Sequence, residues 1–145
     1  MKEPKCVFEN LDEAKKCLDE WQERLFLTDW HIQLNLGEDD ITESDDLVGY
    51  VDYSRSGKTA YIGLANKKNG FDSPKDKVTK YCAEKTLVHE LLHIKMDVIC
   101  GCFTRTGLCL EQIAFYESQH ALLEQMAKSL IMAKYNVDFD WFKNF

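Results

Sequence analysis

The stretch "TLVHELLHIK", Thr86–Lys95, constrains this chain of 145 residues more than any other. As a helix it is apolar nearly all round, so it belongs inside the protein with other elements packed on it. Yet His89, Glu90 and His93 stand among Leu87, Val88, Leu91 and Leu92. Buried polar groups without partners cost several kcal/mol. The segment is therefore either a core helix whose histidines are hydrogen-bonded internally or a metal site with its own base.

Positions i and i+4 of a helix lie one above the other. His89 and His93 thus aim two imidazoles at one point, the H-E-x-x-H spacing with which a helix holds Zn²⁺, and Glu90 projects beside them as a general base. With four histidines and twelve glutamates in the chain, the motif is expected by chance only about 0.01 times. A catalytic zinc takes three protein ligands and keeps the fourth position for water. The third is expected from the last helix, where Glu117, His120 and Glu124 share a stripe with Ile113, Ala127 and Ile131. His120 comes first, with Glu124 as the alternative third ligand and Glu117 after it. A member of the stripe not used as ligand could orient a histidine through its other nitrogen. Asp97, one turn beyond His93, is a further candidate for that role or a solvated acid.

The rest of the chain supplies elements to surround this helix. Leu11, Ala14, Leu18, Trp21 and Leu25 recur at helical spacing, and Asn10 with Glu13 forms a capping box, giving an amphipathic helix from Asn10 to about Leu27. "WHIQLNL" alternates like a half-buried strand, while "LVGYVDYS" and "TAYIGL" flank "RSGK" as a hairpin, with Gly57 suited to the turn. After a loop from Asn66 to Lys77, one helix runs from near Lys80 to Cys100, capped by Gly101, and another from about Leu108 to Tyr135. A return loop through Gly101 and Gly107 lets the two helices pack together. Trp21, Trp30 and Trp141 are expected in the core, and the aromatic tail packs back on the body. The expectation is an α+β fold: an N-terminal helix, a small three-stranded mainly antiparallel sheet, then the active-site helix and a long C-terminal helix, all in one domain spanning 1–145.

Bulk properties exclude several classes. No apolar run approaches the about 18 residues of a membrane span, and the N-terminus lacks an export signal, so a cytoplasmic location without membrane attachment is expected, with the six cysteines as thiols. Residues 1–50 carry 5 basic and 14 acidic side chains. "GEDDITESDD" lacks calcium-loop spacing and reads as a solvated loop. Between Arg55 and Lys85 stand eight basic and three acidic residues. An acidic protein without interleaved aromatics is a poor nucleic-acid binder, so no nucleic-acid partner is expected.

"EKTLVHELLHI" resembles the signature helix of the zincin metallopeptidases. Together with "DWHIQLNL", "VGYVDYS", "TAYIGL" and "ESQHALLEQMAKSL", over about residues 28–133, it is similar to the short minimal zincins often encoded by phages and prophages, of the SprT-like and ImmA-like kind. The H-x-x-G-x-x-H extension of metzincins is absent after His93. The resemblance implies Zn²⁺ on His89 and His93 with Glu90 as base, hence a zinc metallopeptidase acting on a peptide or protein substrate through zinc-bound water. Tyr116, Tyr135, His31 and Arg105 are conceivable oxyanion donors, and "TAYIGL" is either a substrate-binding edge strand or an internal one. Two alternatives belong to other classes: a partner-binding protein that retains the zincin core without turnover, and a structural zinc protein with the fourth position closed by Cys100 or by His120 and Glu124 together.

Overall fold

The computed structural model describes residues 2–37, 48–66, 71–72, 78–79, 81–100 and 109–144. The first helix, α1 (Leu11–Arg24), is followed by strands β1 (His31–Gly37), β2 (Gly49–Ser54) and β3 (Thr59–Ala65). A short pair, β4 (Phe71–Asp72) and β5 (Val78–Thr79), interrupts what reads in sequence as plain loop. Helices α2 (Ala83–Cys100) and α3 (Cys109–Tyr135) and a 3-10 helix (Phe139–Asn144) complete the α+β fold.

Asn10 caps α1, its side chain accepting from Glu13 N–H at 2.9 Å, as the capping box requires. The Glu13 carboxylate, however, reaches Glu9 N–H at 2.7 Å, one residue earlier than expected. The helix stops a turn short of Leu27. Phe26 adopts φ 55, Leu27 N–H bonds Gln22 O at 2.7 Å and Phe26 N–H bonds Glu23 O at 3.2 Å. That is a Schellman ending with phenylalanine where glycine is usual. Leu25 and Leu27 stay buried on either side of it, which is why the apolar period continued past the real terminus. At the other end of the chain, α3 stops where expected, with Asn136 left-handed at φ 54.

The sheet order is β1-β3-β2. β2 and β3 form the expected hairpin, Gly49 opposite Leu64 and Ser54 opposite Thr59. Lys58, at φ 48, takes the left-handed turn position expected of Gly57. β1 joins β3 in parallel, from His31 opposite Thr59 to Gly37 opposite Ala65, so the sheet is mixed rather than mainly antiparallel. "TAYIGL" is consequently the central strand, which removes it as an edge for substrate addition.

One face of this sheet packs on α2. Leu34 of β1 and Ala60, Ile62 and Leu64 of β3 meet a helix buried at Thr86, Leu87, Val88, Glu90, Leu91, Leu92 and Ile94. α1 covers the β1 side with Ala14, Leu18 and Trp21, while Leu123, Ala127 and Ile131 of α3 close the far side of α2. Two glycines permit close approaches. A Cβ at Gly49 would fall 2.6 Å from Thr86 Cγ2, and one at Gly63 would fall 2.3 Å from the Tyr50 ring. Trp21 is fully buried and Phe142 returns the tail to the core, whereas Trp30 and Trp141 only border it.

A buried carboxylate fixes how the helices meet. Glu84, in the first turn of α2, has no solvent exposure. It accepts from Trp21 Nε1 of α1 at 2.8 Å, Lys134 Nζ of α3 at 2.7 Å, Tyr135 OH at 2.8 and 2.9 Å, and Lys5 N–H of the N-terminal segment at 2.8 Å. Charge-assisted bonds to the ionised form offset the cost of burying it. Glu84 thereby ties three helices and the N-terminal segment to one point.

Candidate metal centre

His89 and His93 project from successive turns of α2, as the i, i+4 spacing dictates. α3 runs antiparallel to α2 and delivers His120 to them. The imidazole centroids lie 5.0 Å apart for His89 and His93, 5.3 Å for His89 and His120, and 4.7 Å for His93 and His120. One ring nitrogen from each falls within 4.8 Å of the others, close enough to bind a metal ion. His89 and His93 are half-buried and His120 is exposed, so the cluster opens to solvent on the α3 side.

Glu124, one turn beyond His120, takes a different position. Its Oε2 accepts from His89 Nδ1 at 3.2 Å, while Oε1 accepts from Lys85 and lies 3.7 Å from Lys128 Nζ. With Nδ1 bonded to a carboxylate, the His89 nitrogen left for a metal is Nε2. Burial pushes the Glu124 carboxyl up, but bonds from His89 and Lys85 outweigh it and hold the group down at about 2. Burial, with the neighbouring histidine charges, lowers His93 to about 4, and burial with the His89 charge lowers His120. Both favour neutral imidazole, the form that ligates.

Glu90 lies one residue round the helix from His89, on the side facing β2, where a Cβ on Gly49 would come 3.3 Å from its Oε1. It is 7 % exposed. Burial raises its carboxyl to about 7 against the opposing pull of the His89 charge.

The other residues singled out in sequence lie elsewhere. Glu117 is exposed on α3 outside the cluster. Asp97 is neither solvated nor turned to His93: it pairs with Arg55 Nε at 2.5 Å and fastens the β2–β3 turn to α2. Tyr135 is occupied with Glu84, and His31 is exposed at the start of β1. Gly101, Arg105, Gly107 and most of the acidic stretch lie outside the described residues, as do the side chains of Cys100, Ile113 and Tyr116. The described basic residues between Arg55 and Lys85 are ion-paired, Arg55 with Asp97, Lys58 with Asp29 and Lys85 with Glu124. Lys85 and Glu84 carried no signal in sequence, because charged residues in the first turns of a helix are ordinary. Among the described residues no helix is long and apolar enough to cross a membrane. No protein-family description, curated protein or solved structure matches the chain.

Proposed function

We propose that the protein is a zinc-dependent metallopeptidase in which His89, His93 and His120 hold the metal and Glu90 is the general base. The observation that carries this reading is the convergence of three imidazoles on one open point next to a buried carboxyl. The donor set fits: three imidazoles suit Zn²⁺, and a carboxylate on the remote nitrogen of one of them is the usual support of such a ligand. Zinc bound there supplies a Lewis acid that polarises a peptide carbonyl and lowers the pKa of water from 15.7 to about 7.

The chain's own residues do the rest. Glu124, held by Lys85, keeps His89 in one tautomer and one ring orientation. Glu90, a carboxyl poised near neutrality by burial, can take a proton from attacking water and return it to the departing amine, both at one carboxylate oxygen. A structural site has no use for such a base, which favours turnover over a non-catalytic zinc protein.

The test combines metal content with hydrolysis. Purified protein should carry about one zinc per chain by mass spectrometry, and His89→Ala should lose it. Glu90→Gln should retain the zinc while hydrolysis of an unfolded protein substrate falls by about 10² to 10⁴-fold. Absence of zinc from the wild type, with no uptake when it is added, overturns the reading; zinc with no hydrolysis leaves the binding protein as the answer.

A further inference from the structure

Residues 2–9 form a strap across the start of α2, and two cysteines sit where it is fastened. Ala83 N–H donates to Cys6 O at 3.0 Å, and Glu84 N–H donates to Lys5 O at 2.9 Å. Lys5 N–H returns a bond to Glu84 Oε2 at 2.8 Å. Cys82, the residue before α2, is 1 % exposed; its thiol donates to Lys5 O at 3.8 Å, the carbonyl just before Cys6, and Cys6 is the neighbour that acts most strongly on that thiol. Cys6 is half-buried and so within reach of a small reagent. Residues distant in sequence are thus held side by side by backbone bonds.

We propose that Cys6 and Cys82 are a redox-responsive cross-linking site, oxidised to a disulfide by a small-molecule disulfide of the glutathione class, which fastens the strap to the start of α2. The Cys6 thiolate attacks one sulfur of the reagent and expels its first thiolate, leaving a mixed disulfide. Cys82, whose thiol is pushed up by its Cys6 neighbour and by burial, gives up its proton as its sulfur attacks that of Cys6 and expels the second thiolate. Two protein thiols are oxidised, the reagent is reduced to two thiols, and the two protons released by the cysteines go to them. The backbone bonds from Ala83 to Cys6 O and from Glu84 to Lys5 O already hold the two residues side by side.

The consequence is local. The strap buries Pro4 and Phe8, and Asn66 clamps the Phe8 backbone with bonds of 2.9 and 2.8 Å. When the strap detaches, both side chains meet water and Glu84 loses the Lys5 N–H. A cross-link at Cys82 denies that opening, and by closing a long stretch of chain it restricts the unfolded ensemble strongly. The histidine cluster, further along α2, is not altered, so the inference holds whether or not that cluster binds metal.

The test is equilibration of the reduced full chain with oxidised glutathione, acid quenching, alkylation, and peptide mass spectrometry alongside thermal unfolding. The Cys6 and Cys82 peptides should appear joined, two hydrogens lighter than their sum. The unfolding midpoint should rise by about 10 °C and return on reduction. Cys6→Ser, whose hydroxyl keeps a polar contact with Cys82, should show no rise, and Cys82→Ser serves equally if that variant does not fold. A glutathione adduct persisting on Cys6, either cysteine joined to another partner, a cross-link without a rise, or the same rise in the serine variants would overturn the proposal.

Discussion

Glu124 Oε2 and His89 Nδ1 stand 3.2 Å apart, so the carboxylate that rivals His120 for the third position of the proposed site is engaged on one ring nitrogen of His89 instead. Lys85 and Lys128 hold that carboxylate from α2 and from its own helix. An anionic group fixed in this way selects the His89 tautomer that presents Nε2.

Replacing the two candidates therefore has unequal effects. Glu124→Gln should weaken zinc binding about 10 to 100-fold, the usual loss for a supporting partner, while His120→Ala should weaken it more. Competition against a chromophoric chelator measures both. Wild-type affinity in His120→Ala with none in Glu124→Gln would exchange the two roles.

Glu84 makes a prediction about stability rather than chemistry. Glu84→Gln keeps the shape but leaves the Lys134 ammonium, 8 % exposed, with the partly exposed Glu20 as its remaining counter-charge among the described residues. Breaking one side of a buried charged network should cost about 3 kcal/mol, read from urea unfolding. A loss below about 1 kcal/mol would mean that Trp21 and Tyr135 hold the helices without the charge.

Gly49 separates β2 from α2 by less than a methyl group's width. Gly49→Ala should cost about 1 to 3 kcal/mol, because the new Cβ would lie 2.6 Å from Thr86 Cγ2. Thr86→Ser removes that methyl and retains a hydroxyl for the bond to Cys82 O at 3.3 Å. The cost of Gly49→Ala should shrink in the Thr86→Ser background, and a double-mutant cycle showing simple additivity would place the strain elsewhere.

Acid should destabilise the protein through α1. The Lys5 ammonium and Glu9 N–H hold the Glu13 carboxyl below its ordinary range. Burial pushes Glu20 up, but Lys134 and Arg24 more than offset it, and its carboxyl also sits low. A folded pKa below the unfolded value of about 4.3 means that the unfolded chain binds more protons in between. This stabilisation is complete above about pH 5 and is lost as pH falls through the folded values. Urea midpoints measured with chelator present, to exclude metal loss, should fall below about pH 4, and Glu13→Gln with Glu20→Gln should flatten that fall. An unchanged acid limb in the double variant would refute the assignment.

Features that depend on near neighbours in the chain are legible without a fold. Asn10 and Glu13 mark the start of α1, "RSGK" joins a hairpin, and the turn of a helix alone aligns His89 with His93, because residues three or four apart meet whatever surrounds them. The parallel pairing of β1 with β3 emerges only from packing, since the alternation of "HIQLNL" specifies a buried face and leaves the neighbouring strand open. Nor does the sequence separate His120 from Glu124: both occupy the same face of α3, and which of them meets the ring pair of α2 and which bonds His89 Nδ1 follows from how far α3 is slid along α2. That slide is registered by Glu84 against Lys134 and Tyr135, which in sequence are an ordinary first-turn acid and an ordinary last-turn pair. Buried charge acquires its meaning from partners far away in the chain, and those partners exist only once the helices have packed.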